Sequence, residues 1–194
     1  MFNKIHFLFK LASTGDIARR YFVTNGFDGA LAMLGLIIGF YGSNTTSTTI
    51  IITACFGTAI ALTISGFVSA YISESAERKK ELDELEQALL KNMNDSAHAQ
   101  AAKLAPIFIA AANSLAPLII SLLIILPIWL SHLGVTLPIQ ASLISIIFAF
   151  IILFSLGVFI GRLNGQFWLW SGIRTLIIAI ITAGLILGVE KLLE

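Results

Sequence analysis

The stretch Ser47–Lys91, STTIIITACFGTAIALTISGFVSAYISESAERKKELDELEQALLK, decides the architecture. From Ser47 to Ser73 it contains no Asp, Glu, Lys or Arg, and from Glu74 onward charges crowd in. About 20 apolar residues in helical form cross a hydrocarbon layer of roughly 30 Å. No proline or paired turn residues separate the apolar part from the charged part. The pattern therefore predicts one long helix that crosses a bilayer and continues beyond it, its surface changing character near Ser73.

Four further blocks meet the same length criterion: Tyr21–Gly42, Pro106–Ser131, Thr136–Arg162 and Trp168–Val189. With Ser47–Ser73 they predict an all-α, polytopic membrane protein of five transmembrane helices. Over 194 residues the chain is 57% hydrophobic and 12% charged, and its mean hydropathy of +0.92 exceeds what a soluble core of this size conceals. Residues 1–20 read as a cytoplasmic amphipathic or flexible N-terminal segment. Residues 21–194 form the transmembrane domain, and residues 74–104 are a cytoplasmic helical connection between spans two and three. The run Ile5–Phe9 is too short for the apolar core of a signal peptide, and no small-residue cleavage site follows it.

Orientation follows from the basic residues. Lys4, Lys10, Arg19 and Arg20 precede or open the first span; Arg78, Lys79, Lys80, Lys91 and Lys103 fall between spans two and three; Arg162 and Arg174 flank the link between spans four and five. The connections Ser43–Thr46 and His132–Val135 contain no lysine or arginine, so eleven of the twelve basic residues share a side and only Lys191 lies opposite. The crowded side is expected to be cytoplasmic. That places a multi-pass chain in the cell membrane with its N-terminus inside and its C-terminus outside. Trp168 and Trp170 then stand at a headgroup boundary, where indoles prefer to be.

Several features argue packing rather than chemistry. Gly35 with Gly39, Gly157 with Gly161 and Gly165, and Gly184 with Gly188 recur at four-residue spacing, which lets helix backbones approach closely in lipid. Pro117 and Pro127, inside the third apolar block, are expected to kink or break that helix. Cys55 is the only cysteine, so no intrachain disulfide exists. His6, His98 and His132 have no ligand spacing between them, and no P-loop, metalloprotease or nucleophile-elbow pattern occurs. An enzyme is not expected, nor a nucleic-acid partner or a permanently bound cofactor.

Asp28 is the most informative single residue. It lies seven residues into the first block, roughly 10 Å along the helix at 1.5 Å per residue. An aspartate at a span's centre costs about 2.5 to 3.5 kcal/mol on insertion scales, so such groups usually serve an ion or proton. The competing reading is an interfacial cap, with Asn25 and Gly26 helping and the span beginning after it. Glu74, Glu77, Glu81 and Glu84 recur at three- and four-residue steps, which puts their carboxylates on one side of the projecting helix. Hard or borderline divalent cations accept such oxygens, while a plain solvated face is the alternative. Met33 and Asn113 are accessory candidates within the spans. Leu82, Leu85 and Leu89 form a narrow apolar stripe that must cover something.

Phe27-Asp28-Gly29 opening a glycine-rich first span resembles the vacuolar iron transporter family. The likeness continues in Ser65-Gly66 and Tyr71, in Glu74-Ser75-Ala76-Glu77-Arg78 with Glu81 and Glu86, in Gly157-x-x-x-Gly161-Arg162, and in Ser171-Gly172-Ile173-Arg174-Thr175. The resemblance covers about Phe27 to Val189. It implies a five-helix protomer, a homodimer with the path between protomers, and export of Fe²⁺ or Mn²⁺ from the cytosol in exchange for protons. It also implies that Asp28 is a metal or proton site and that Glu74 or Glu77 hands metal into the path. Two departures stand out. The large metal-binding cytoplasmic domain of plant and yeast members is reduced here to about thirty residues, and their second-span methionine is replaced by Gly66 or a neighbour. The expectation is a divalent-metal transporter with Asp28 central and Glu74, Glu77, Glu81 and Glu84 as collectors. A non-transporting scaffold that recruits a partner through Leu82, Leu85 and Leu89 is the rival.

Overall fold

The computed structural model describes residues 14–43, 45, 47–93 and 96–193. Five helices account for nearly all of them: α1 (Thr14–Gly42), α2 (Thr48–Leu89), α3 (Ala97–His132), α4 (Ala141–Leu163) and α5 (Trp168–Leu193). Each is long and apolar enough to cross a membrane, and no strand occurs among the described residues. The regularity has a simple cause. In hydrocarbon no water is available to backbone N–H and C=O groups, so a helix, which pairs them internally, is the state a single span can adopt.

The 42 residues of α2 extend about 63 Å at 1.5 Å per residue, roughly twice the hydrocarbon thickness. The single long helix expected from the sequence is therefore present. It stops at Leu90, which has φ 48°, and the amide of Lys91 reaches back to the carbonyl of Glu86 at 3.2 Å. The Glu86 carboxylate accepts the Met93 amide at 2.7 Å, which closes the connection. Ser96 then caps α3 by accepting the Ala99 amide on its hydroxyl at 3.1 Å.

α1 begins at Thr14, seven residues before the first apolar block. Arg19 and Arg20 are thus helical, and the rest of the expected N-terminal segment, residues 1–13, lies outside the described residues. α3 runs unbroken from Ala97 to His132 through Pro106, Pro117 and Pro127, so of the kink or break expected at Pro117 and Pro127, the break does not occur. Pro117 removes the amide that the carbonyl four residues earlier, that of Asn113, would normally receive. That carbonyl instead accepts the side-chain amide of Asn25 at 2.7 Å. Substitute donors of this kind are what make proline tolerable within a membrane helix.

Two compact units divide the helices. The first consists of α1 up to Asn25 with Thr63–Ala116, and its apolar centre packs Ala101, Ala105 and Ile109 of α3 against Ile17, Ala18 and Tyr21 of α1. The second consists of Gly26–Leu62 and the chain from Pro117 onward. Met33, Leu34 and Ile37 of α1, Cys55 of α2, Ile124 and Ile128 of α3, Leu153 of α4 and Ala179 of α5 meet in its core. Phe56 and Trp129 add an edge-to-face contact with centroids 5.7 Å apart.

Glycine governs how α4 meets α5. A β-carbon on Gly161 would lie 2.6 Å from Cβ of Ser171, and one on Gly157 would lie 2.9 Å from the Ser171 carbonyl. The Thr175 hydroxyl crosses the same contact and donates toward the Leu153 carbonyl at 3.0 Å. The close approach expected of Gly157 and Gly161 is therefore found. Gly184 and Gly188 face open space, so their spacing produces no packing within the protomer. At the start of α5, Arg162 and Arg174 lie over the rings of Trp168 and Trp170 at 6.0 and 5.6 Å, a cation–π pairing suited to an interface.

Candidate functional site

In the first unit the polar groups gather where α2 changes from apolar to charged. Glu74 is 7% exposed, too enclosed for a free carboxylate to be stable without a partner. Arg78, one turn on, supplies it: a guanidinium nitrogen stands 3.5 Å from Oε2 of Glu74, and the other terminal nitrogen pairs with Glu81 at 2.5 Å. The Tyr21 hydroxyl of α1 adjoins Glu74 and Ser73. This network is incomplete. Oε2 of Glu74 and Nε of Arg78 are both buried without a hydrogen bond, so the Glu74 carboxylate retains capacity for another ligand.

The row of glutamates is uneven. Glu77 is exposed, Glu81 is exposed but held by Arg78, and Glu84 forms a loose exposed pair with Lys80 at 3.9 Å. Beside them a cavity of about 460 Å³ is lined by Arg78, Glu81, Leu82, Glu84, Leu85 and His98. The leucine stripe thus covers this groove in part, while Leu89 is left 59% exposed.

Further along the same unit the three helices meet at a node of amides. Asn113, 5% exposed, donates its side-chain amide to the carbonyl of Gly66 at 2.7 Å. Its own carbonyl accepts from Asn25. A β-carbon at Gly66 would lie 2.5 Å from the Asn25 amide nitrogen, so the missing side chain at Gly66 is what admits Asn25. Each amide thereby uses its N–H₂ group as a donor, and its carbonyl oxygen, a neutral hard ligand, is not spent on these two bonds. Asn113 entered the sequence reading only as an accessory candidate and Asn25 only as a helper to a cap. The signal available was positional, since Asn113 precedes Pro117 by four residues.

In the second unit Asp28 lies midway along α1, fourteen residues from either end of a helix whose bounds are Thr14 and Gly42. It does not cap the helix that contains it. Its side chain is exposed at the protomer surface, directly before Gly29, whose α-carbon region is pressed against Pro117 so closely that a β-carbon would lie 2.7 Å from the Pro117 Cα. Met33 is fully buried in the apolar core of this unit, as is Cys55. Among the described residues no three His, Cys, Asp or Glu side chains converge as a metal-ligand set. Asp28 and Glu74 belong to different units.

At the far end of α1 lies a residue to which the sequence drew no attention. Glu190, in the last turn of α5, places its carboxylate where a side chain of Gly42 would be, and its Oε1 is buried without a hydrogen bond. Gly42 also lines a cavity of about 1010 Å³ with Tyr41, Thr45, Thr48, Ser131 and Gln140. At its edge the Thr48 hydroxyl is 3.2 Å from Nδ1 of His132, joining the start of α2 to the end of α3.

The sequence profile of the VIT family matches residues 19–109, which contain Asp28, Gly66, Glu74 and the start of α3. The chain is also 31% identical over 180 residues to an uncharacterized protein of Methanocaldococcus jannaschii, with 91% of each chain covered. Profile, five apolar helices and the residues that first suggested the vacuolar iron transporters agree, and the chain belongs to the VIT family of membrane metal-ion transporters.

Proposed function

We propose that the protein exports a divalent cation, Fe²⁺ or Mn²⁺, from the cytosol in exchange for protons, with Asp28 as the site that holds either. The observation that carries this reading is the place of Asp28: an ionisable side chain seven residues into the apolar part of a 29-residue helix, on the protomer surface rather than at a helix end. Such a position is costly in lipid and is retained where a cation path, a partner charge or water reaches it. A carboxylate that binds a metal ion gives up its proton, and one that is reprotonated releases the metal, so one group alternating between the two couples opposite fluxes.

One carboxylate is a poor site for a divalent ion, which takes several oxygen ligands. The described protomer offers no convergent set, and this favours a homodimer in which a second copy of Asp28 completes the site. Asn113 and Met33 stay accessory candidates in this reading, Asn113 by the oxygen-donor chemistry a harder ion accepts and Met33 by the thioether a softer one accepts. On the cytoplasmic side Glu74, Glu77, Glu81 and Glu84 collect the cation. Glu74 leads, because its buried oxygen lacks a hydrogen bond. The distribution of lysine and arginine supports an inside N-terminus and an outside C-terminus in the cell membrane.

The test is Mn²⁺ or Fe²⁺ flux into liposomes under an imposed pH gradient, for the native chain and for Asp28→Asn. Gradient-dependent flux that Asp28→Asn abolishes is expected. Equal flux in both, or none in either, overturns the reading. The latter outcome favours a scaffold that engages a partner at the groove beside Leu82 and Leu85.

A further inference from the structure

We propose that Arg78 is a tethered stand-in for the cation: its guanidinium occupies the place beside Glu74 that the arriving ion takes, and the ion binds by displacing it. The proposal rests on the reading of Glu74 as leading collector and adds the side chain that controls access to it. Glu74, Arg78 and Glu81 follow at four- and three-residue steps along α2, so one helix face sets a positive group between two carboxylates. The two contacts are unequal. Arg78 donates to Glu81 at 2.5 Å, whereas its other terminal nitrogen stands 3.5 Å from Oε2 of Glu74. That oxygen is buried without a hydrogen bond, and so is Nε of Arg78.

An enclosed carboxylate is strongly unfavourable without a counter-charge, so Glu74 needs a positive partner whenever no ion is bound. Arg78 supplies one through attraction alone, with no hydrogen bond to hold it against that oxygen, and is displaced at low cost. Room for its withdrawal adjoins the site. Arg78, Glu81 and Glu84 all line the cavity of about 460 Å³, so the guanidinium can leave Glu74 without leaving the reach of other carboxylates. A divalent ion at Glu74 repels the guanidinium toward that space. The ion does not depend on one carboxylate there: Glu81 has a second oxygen besides the one that bonds Arg78, and the Tyr21 hydroxyl adjoins Glu74, which makes a set of oxygen donors suited to Mn²⁺. When the ion moves on, Arg78 returns, and the carboxylate is at no stage left enclosed and uncompensated.

Mn²⁺ titration of the detergent-solubilised full chain, read by loss of the free-ion electron paramagnetic resonance signal and by thermal unfolding, tests the proposal. Removal of the competing positive group is expected to tighten Glu74-dependent Mn²⁺ binding about tenfold in Arg78→Gln. Mn²⁺ is also expected to restore the thermal stability that this variant loses, because the ion replaces the missing charge. Arg78→Lys keeps a positive charge and decides the matter if Arg78→Gln does not fold. A single ammonium cannot span two carboxylates as a guanidinium fork does, so a smaller gain in affinity is expected. Adding Glu74→Gln to either variant is expected to abolish the gain. Affinity that is unchanged or weaker in Arg78→Lys and in folded Arg78→Gln overturns the proposal, as does a gain that persists without Glu74. Liposome flux separates this outcome from the transport reading. Gradient-driven flux that Asp28→Asn abolishes, with no gain in the Arg78 variants, removes the role of Arg78 alone; tighter binding in those variants without any flux in the native chain removes transport and leaves Arg78 as the occupant of a cation site.

Discussion

The Asn25 side-chain amide donates to the Asn113 backbone carbonyl at 2.7 Å, replacing the donor that Pro117 lacks. The same Asn113 donates onward to Gly66 at 2.7 Å. Three helices are tied by two bonds at one residue. Asn113→Ala is expected to lower stability by about 0.5 to 1.5 kcal/mol, because the Gly66 carbonyl loses this donor and keeps the Ser69 hydroxyl at 3.3 Å. Asn25→Ala, at a half-buried position, is expected to cost less. Thermal unfolding of the detergent-solubilised variants measures both, and a double variant should show non-additive loss, since the two side-chain amides meet beside Gly66.

Arg78 and Lys80 offer a contrast within a single turn of α2. Arg78 is 12% exposed at its side chain and Glu74 8%, so Arg78→Ala leaves a carboxylate enclosed without its counter-charge. A loss of about 3 to 5 kcal/mol is expected, largely recovered by adding Glu74→Gln, which neutralises the stranded group. The Lys80–Glu84 pair is more than 60% exposed on both sides, and Lys80→Ala is expected to change stability by less than about 0.5 kcal/mol. Denaturation of the three variants side by side checks the order.

Glycines in the spans should differ sharply despite similar spacing. At Gly29 the added methyl group of alanine meets the Pro117 backbone at 2.7 Å, and backbone cannot move aside locally. Gly29→Ala is expected to destabilise by about 1 to 3 kcal/mol through overpacking. Gly184 has nothing within 4 Å, so Gly184→Ala is expected to be neutral in the isolated protomer or to gain up to about 1 kcal/mol from helix propensity. A large loss at Gly184 would mean that another chain covers that face. Melting curves of the two variants give the comparison.

Much of the architecture could be read directly because its causes are local. Uninterrupted apolar runs fix spans, and the lack of any break between Ser47 and Lys91 fixes the long α2. That α3 stays unbroken at Pro117 is not legible locally, because the donor that replaces the missing amide comes from Asn25, 88 residues before Asn113 in sequence. The acidic row was visible as a pattern, but its division into a buried Glu74 and exposed partners depends on Tyr21 and on how α1 packs against α3. Glu190 escaped notice for a similar reason. At the end of a span it reads as an ordinary terminal charge, and only the bare backbone of Gly42 makes its setting unusual.

The length of α2 has a mechanical consequence. Sharp bends in helices occur at prolines, at glycine–serine pairs or where the hydrogen-bond ladder is invaded, and α2 contains no proline. Its one serine–glycine pair, Ser65-Gly66, is where Asn113 grips the backbone. The place where α2 could most readily bend is thus the place where a hydrogen bond from α3 holds its backbone, and loss of that bond would free it to do so.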